Sequence, residues 1–325
     1  MRPVSVIGAG VAGLCVATAL RARGMEIRLF DTRPDPGPQA CSWWAGGMLA
    51  PWCESETAEE PVLRLGQRAA DWWDRHAGGV VRNGTLVLAL SRDRGDLARF
   101  ARRTGGHRDV PASEIARLEP DLSMHRHGLL YAAEAHLNPR AALADLRRRL
   151  ADADVPVETG TPPDGGWMID CRGLAARDML SDLRGVKGEM VVLRCPEITL
   201  SRPVRLLHPR HPLYIVPRGD GVFMLGATQI ESADRHRLTA RALLELLSAA
   251  YALHPAFAEA EVLETGVDAR PAFADNLPRI RRRGQRIFIN GLYRHGFLLA
   301  PALAEAVASY LTDGKRPEVM DEDRD

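Results

Sequence analysis

The 325 residues are 46% hydrophobic, enough by length for about two domains with full cores. Lys and Arg number 43 against 42 Asp and Glu, so the formal net charge of +1 gives no global pull toward nucleic acid or acidic membranes. Five scattered cysteines, Cys15, Cys41, Cys53, Cys171 and Cys195, lack CxxC spacing, which argues against a disulfide framework or structural zinc and for a reducing cytoplasm; no apolar run approaches the roughly 18 residues of a spanning helix.

The first predicted element is a strand over 4–7, followed at once by Gly8-Ala9-Gly10-Val11-Ala12-Gly13 and an amphipathic helix over 14–23 that Gly24 ends. A second strand over 26–30 carries Asp31 to its C-terminal end, with Thr32 next. A buried pyrophosphate needs a helix N-terminus whose unpaired N–H groups face it with no side chain between. Gly8 allows the tight turn, Gly10 admits the pyrophosphate, and Gly13 lets helix and strand pack closely. Asp31 follows Gly13 by 18 residues, close to the roughly 20 expected of a ribose-binding carboxylate, and it disfavours a 2′-phosphate. A dinucleotide site follows, with FAD as the expected ligand. A motif so near residue 1 also leads us to expect no signal peptide.

Arg33-Pro34-Asp35-Pro36-Gly37-Pro38 predicts a loop. Cys41-Ser42-Trp43-Trp44-Ala45-Gly46-Gly47-Met48-Leu49-Ala50-Pro51 then sets small residues among tryptophans, where a backbone can approach something flat. Helical patterns cover 60–76 and 92–103, with a strand over 84–90 between them. Asn138 as N-cap and Pro139 at the first position open a helix to about residue 150. Strands over 155–158 and 167–170 follow, and the second delivers Cys171-Arg172-Gly173 to the cofactor crevice, so the first and third parts of the chain share a domain.

Strands over 188–193, 213–216 and 222–227, with Pro217-Arg218-Gly219-Asp220-Gly221 as a hairpin turn, predict an antiparallel sheet for a substrate domain. Gly266-Val267-Asp268-Ala269-Arg270-Pro271 precedes a strand over 286–290, the loop Gly291-Leu292-Tyr293-Arg294-His295-Gly296 and an apolar helix over 297–311. This is a second strand, loop and helix start at which main-chain N–H groups can stabilise negative charge. Arg281-Arg282-Arg283 reads as a solvated turn, and the acidic 318–325 as a frayed terminus. Trp43, Trp44, Trp52, Trp72 and Trp73 read as core or interface anchors, and His125 and His127 lack partners at metal-ligand spacing, so no metal is expected. GxSxG, GxxxxGK[ST] and HExxH are all missing from the sequence.

Taken together, the N-terminal fingerprint, Ala45-Gly46-Gly47-Met48-Leu49-Ala50-Pro51, Tyr214-Ile215-Val216-Pro217-Arg218, Gly226-Ala227-Thr228, Arg270-Pro271 and the block from Gly291 to Pro301 resemble the D-amino-acid oxidase superfamily. The glycine oxidase branch that serves thiamin biosynthesis is the best match. The resemblance implies an α/β fold in which a Rossmann-like FAD domain of the glutathione-reductase type (1–75, 138–182 and 264–325) is interleaved with an α+β substrate domain built on an antiparallel sheet (76–137 and 183–263). It implies oxidation of an amine beside a carboxylate to the imine, with hydride passing to FAD and dioxygen giving hydrogen peroxide. The substrates expected are glycine, sarcosine or small D-amino acids. The imine would feed a thiazole synthase or hydrolyse to glyoxylate and ammonia. The alternative is a D-amino-acid or imino-acid dehydrogenase that passes electrons to a quinone.

Carried over by the resemblance, Arg270 clamps the substrate carboxylate, Tyr214 closes over it, Arg294 lies near the substrate and Met48 narrows the pocket. The cofactor residues implied are Gly8, Gly10, Val11, Ala12, Gly13, Asp31, Thr32, Ser42, Ala45, Gly46, Gly47, Met48, Val157, Cys171, Gly173, Arg270, Tyr293, Arg294, His295, Gly296, Phe297 and Leu298. No cysteine falls in the last block, so noncovalent FAD is expected. Asp31 stands where many flavoproteins carry Glu, and Asp170-Cys171-Arg172-Gly173 is more polar than is common in the superfamily. The physical case for Arg270 is that a small amino acid offers almost no apolar area, so a bidentate charge-assisted pair must supply its affinity. On the residues alone, Arg270 also fits a surface ion pair with Asp268 or Asp275. No nucleic-acid partner and no membrane span are expected, and a homo-oligomer is left open.

Overall fold

The computed structural model of the chain describes residues 3–90, 93–208 and 212–324. Arg92, the expected start of a helix, and the terminal Asp325 lie outside the described residues; that helix is Arg94–Arg103.

The first sheet runs in the order Met320–Arg324, Arg279–Arg283, Arg286–Asn290, Met168–Asp170, Val4–Ile7, Ile27–Phe30, Val157–Glu158. All of its pairings are parallel except that of Arg279–Arg283 with Arg286–Asn290. The helix Val11–Ala22 buries nearly its whole circumference, as its apolar sequence requires. It packs with Pro139–Ala151 and Gly296–Asp313 in one core that includes Leu14, Leu20, Leu29, Ile169 and Leu299. Asn138 caps Pro139–Ala151 as expected, its Oδ1 accepting the N–H groups of Arg140 and Ala141.

Gly296–Asp313 carries Pro301 in its interior. A proline there cannot donate to the carbonyl four residues back. The indole N–H of buried Trp73 supplies the missing donor, 2.8 Å from the Phe297 carbonyl. Trp73 thus anchors the core and repairs the helix at once. The helix ends at Gly314, in the left-handed region at φ 68°.

The second sheet has the order Glu261–Ala272, Arg184–Arg194, Val222–Gly226, Leu213–Gly219, Val204–Leu207, Thr85–Ala89, His127–Tyr131, Arg108–Pro111. It is antiparallel apart from the parallel pairing of Val204–Leu207 with Thr85–Ala89. Glu261–Ala272 spans the expected boundary at 264 and pairs along its length with Arg184–Arg194, so Arg270 hangs from the second sheet.

Three local expectations are corrected. The pattern over 60–76 forms two helices, Glu60–Gly66 and Ala69–His76. Pro217 and Arg218 belong to the strand Leu213–Gly219, and the hairpin reverses at Asp220-Gly221, whose φ values of 51° and 68° suit a two-residue turn. The arginine run and the acidic tail are paired strands: Met320–Arg324 lies parallel to Arg279–Arg283, with Arg281 bridging Asp182 and Asp321, Arg282 meeting Asp323 and Arg283 meeting Glu322. Among the described residues no helix is long and apolar enough to cross a membrane, and no cluster of His, Cys, Asp and Glu has the makings of a metal site.

Candidate active site

A cavity of about 1000 Å³ opens between the two sheets and is lined from both. At one end stands the glycine turn. Gly8 has φ 95°, and a Cβ on it would lie 2.7 Å from the Cys171 carbonyl oxygen; a Cβ on Gly13 would lie 1.7 Å from the Gly8 carbonyl oxygen. The strand end, the turn and the helix start are therefore in backbone contact, which leaves the first helical N–H groups at the cavity. Ser42 Oγ accepts from the Val11 N–H at 3.0 Å, and Asp31 Oδ2 accepts from the Ala9 N–H at 2.5 Å. The Asp31 carboxylate is thereby fixed at the cavity wall beside Thr32 and Arg147. Burial pulls the Arg147 guanidinium below its ordinary pKa, with Asp31 and Asp35 pushing back.

The turn 171–173 is set by buried Asp170, which accepts from Arg172, and Arg172 in turn pairs with Asp178. A second helix start, at Gly296, Phe297 and Leu298, reaches the same cavity and approaches Val11 closely. Ala45, Gly46, Gly47 and Met48 form a further wall. Gly47, at φ 72°, has no room for a Cβ against the Leu137 carbonyl. Arg218 fixes this wall from behind, donating to the carbonyls of Leu137 (3.2 Å), Ala45 (3.3 Å) and Gly46 (2.8 Å). Burial pulls its pKa down to about 10.

At the other end Tyr214 stands between two glycines. A Cβ on Gly46 would lie 2.9 Å from its ring, and one on Gly226, its cross-strand partner, 2.4 Å from its hydroxyl. Burial raises the Tyr214 pKa, with Arg270 opposing. Arg270 extends across Gly188 and donates to the Thr228 carbonyl at 3.1 Å. Its suggested ion-pair partners are engaged elsewhere: Asp268 with Arg235 and Asp275 with Arg279. Among the described residues no carboxylate pairs with Arg270.

Arg294 lines the cavity too, but its Nε lies 2.6 Å from Glu54 Oε2 and its Nη2 donates to Thr57 Oγ1. His295 Nε2 meets the same Glu54 oxygen at 2.9 Å, and Arg205 lies 3.5 Å from the other. Burial pushes the Glu54 carboxyl up, yet Arg294, His295 and Arg205 outweigh it and hold the group well below the usual carboxylate range.

The cavity thus gathers most residues expected from the sequence. Gly13 acts through packing, and Val157 pairs with Leu29 at the sheet edge rather than lining the cavity. Trp43 and Trp44 line the cavity, with the Arg140 guanidinium 4.4 and 5.3 Å from their ring centres. Glu54, Arg205 and Gly188 were missed, and Gly226 and Arg218 were noted within motif blocks without a role at the site. A glycine inside a strand pattern is a sequence signal of close approach, so Gly188 was findable; an isolated acid such as Glu54 carries no such signal.

A glycine cradle that any Cβ would fill, a fixed carboxylate and two helix starts at one long cavity define a dinucleotide-binding oxidoreductase, and the residues fit FAD. The family model described as FAD dependent oxidoreductase (DAO) matches residues 3–310, and the chain belongs to this family. FAD is its cofactor. It is 53% identical over 322 residues, 97% of this chain and 98% of the other, to a Rhizobium etli protein provisionally named thiamine biosynthesis oxidoreductase ThiO. It is 28% identical to glycine oxidase of Geobacillus kaustophilus over 94% of this chain and 91% of that one. Iminodiacetate oxidase of Chelativorans sp. superposes with a TM-score of 0.82 at 25% identity, covering 97% of this chain and 96% of that structure.

Proposed function

We propose that this enzyme oxidises glycine, and with it sarcosine or small D-amino acids, to the imine, with hydrogen peroxide as the second product. The observation that carries the reading is the Arg270 guanidinium, presented to the cavity beside Tyr214 with no carboxylate of its own among the described residues. Arg270 is partly buried, and a partly desolvated cation without a partner anion favours a ligand that supplies one. The α-carboxylate of an amino acid does so in bidentate form.

The chain's own work is binding and alignment. Arg270 grips the carboxylate, Tyr214 closes over it, and Met48 with the small-residue wall keeps the space narrow. With the amine neutral, its lone pair assists departure of the Cα hydride, so no protein base is needed at that atom. When bound noncovalently, FAD would supply the two-electron acceptor for this hydride, and dioxygen would be the final oxidant, leaving as hydrogen peroxide with the proton lost from the amine and the hydrogen lost from Cα. The imine hydrolyses to glyoxylate and ammonia unless a thiazole-forming partner takes it, a role supported by the name of the Rhizobium etli relative.

The test is an anaerobic absorbance titration with glycine, sarcosine and D-alanine, followed by admission of air. Bleaching by glycine and peroxide on reoxidation are expected, and both are lost in Arg270→Ala while flavin content persists. Bleaching that only a quinone reverses would assign the dehydrogenase reaction instead. Full turnover in Arg270→Ala overturns the carboxylate clamp.

A further inference from the structure

The cations around Tyr214 are not equivalent. Among the described residues Arg270 donates only to a backbone carbonyl, Thr228. Arg205 has two acids, Glu54 at 3.5 Å and Glu56 at 3.8 Å, as well as the Cys53 carbonyl at 3.4 Å. Arg294 has Glu54 alone as its carboxylate among the described residues, at 2.6 Å, with Thr57 Oγ1 as a neutral acceptor. Without the Glu54 charge, Arg205 keeps Glu56, and Arg294 keeps no carboxylate among the described residues.

One open guanidinium receives one carboxylate, and two open guanidinium groups receive a dicarboxylate. We propose that Glu54 is a specificity-determining residue: by holding Arg294 it leaves Arg270 as the open cation and restricts the cavity to amino acids with a single carboxylate. A second acidic group on the substrate would have to break a half-buried ion pair that His295 and Arg205 also support, and it would meet the Glu54 carboxylate in doing so. Rejection of the wrong ligand is thus built from a charge the correct ligand never touches. The inference rests on the carboxylate-clamp reading of Arg270.

The test uses the FAD-loaded enzyme and two unreactive probes, acetate and malonate, titrated against the flavin absorbance band at about pH 8, where both malonate carboxyls are ionised. In Glu54→Gln the preference for malonate over acetate is expected to rise by about tenfold or more, and the KM for iminodiacetate to fall relative to that for glycine. Glu54→Gln with Arg294→Gln should return the preference to the wild-type value or below. Glu56→Gln, which takes an acid from Arg205 and Arg103 but not from Arg294, should leave it where it was. Should Glu54→Gln fail to hold FAD, Arg294→Gln gives the converse reading: Glu54 then faces the cavity in excess, and malonate loses affinity by a larger factor than acetate. An unchanged ratio in Glu54→Gln, or a rise that survives removal of Arg294, overturns the proposal. If acetate does not perturb the wild-type spectrum at all, the clamp itself falls, and this inference with it.

Discussion

The guanidinium of Arg270 occupies the space that any side chain at position 188 would need: a Cβ built on Gly188 would stand 2.2 Å from Nη2 and 2.3 Å from Cζ. The two residues lie on neighbouring antiparallel strands, Arg270 opposite Val186 and Gly188 opposite Asp268. The glycine therefore makes room for the guanidinium of the proposed carboxylate clamp without carrying a functional group. Gly188→Ala is expected to push Arg270 aside and raise the KM for glycine by about 10- to 100-fold, the worth of one charge-assisted pair. Flavin content should stay at the wild-type level, since the atoms an added Cβ at position 188 meets first all belong to Arg270. Steady-state kinetics beside the flavin-to-protein absorbance ratio check this.

Arg218, on the strand Leu213–Gly219 of the second sheet, ties that strand to the wall at Ala45 and Gly46 and to Leu137 through carbonyls rather than through a carboxylate. Arg218→Met leaves the Leu137, Ala45 and Gly46 oxygens without these donors and frees the wall that lines the cavity. A loss of about 3 kcal/mol in unfolding free energy is expected, read by urea denaturation of the apoprotein. Weaker FAD binding should accompany it, read by fluorescence titration. Arg218→Lys should recover part of both, because one ammonium reaches fewer of the three carbonyls than a planar fork.

The strand Met320–Arg324 closes the edge of the first sheet, with Met320 buried and its acids facing Arg281, Arg282 and Arg283. Removal of residues 320–325 is expected to cost about 2 kcal/mol or more from the lost methionine burial. Arg281→Ala should cost about 1 kcal/mol, discounted for the exposure of Asp182 and Asp321, and the cost should shrink in high salt. Thermal denaturation at two ionic strengths separates the terms. An equal cost at both salt concentrations would assign the Arg281 effect to its packing on Phe273, 4.6 Å from the guanidinium carbon, rather than to charge.

This strand shows where the sequence ceases to be legible. Arg281-Arg282-Arg283 and the acidic tail each look solvated alone, and each is explained by the other across 39 to 41 positions of chain. Gly8 and Gly13 were legible because a tight turn and close helix–strand packing demand glycine at fixed spacing, and Asp31 stands at the cavity at the end of the second strand, where that spacing placed it. Arg218 was misplaced because Pro217 suggests a turn, whereas the reversal lies two residues later, at Asp220-Gly221. Glu54 was invisible because its partners, Arg294, His295 and Arg205, come from distant segments and meet it only in the folded chain.

Glu134 and His136 are both buried beneath the Met48 wall, and they titrate in opposite senses. Burial pushes the Glu134 carboxyl up to about 7, opposed by the Cys53 N–H it accepts at 2.7 Å. Burial pulls the His136 imidazole down to about 4, helped by the Arg218 charge. A carboxyl raised in the fold gives stability that is complete below its unfolded pKa, near 4.5, and is lost as pH rises toward 7. An imidazole lowered in the fold gives stability that is complete above its unfolded pKa, near 6.5, and is lost as pH falls toward 4. Over much of the interval between about pH 4.5 and 6.5 the two slopes cancel, each limited to about 1.4 kcal/mol per pH unit. Glu134→Gln therefore leaves the histidine term uncovered, and stability should climb with pH across this interval. His136→Gln leaves the carboxyl term, and stability should fall instead. Urea midpoints at pH 5, 6 and 7, compared with the wild type, read both signs, and parallel profiles in the three proteins would refute the pairing.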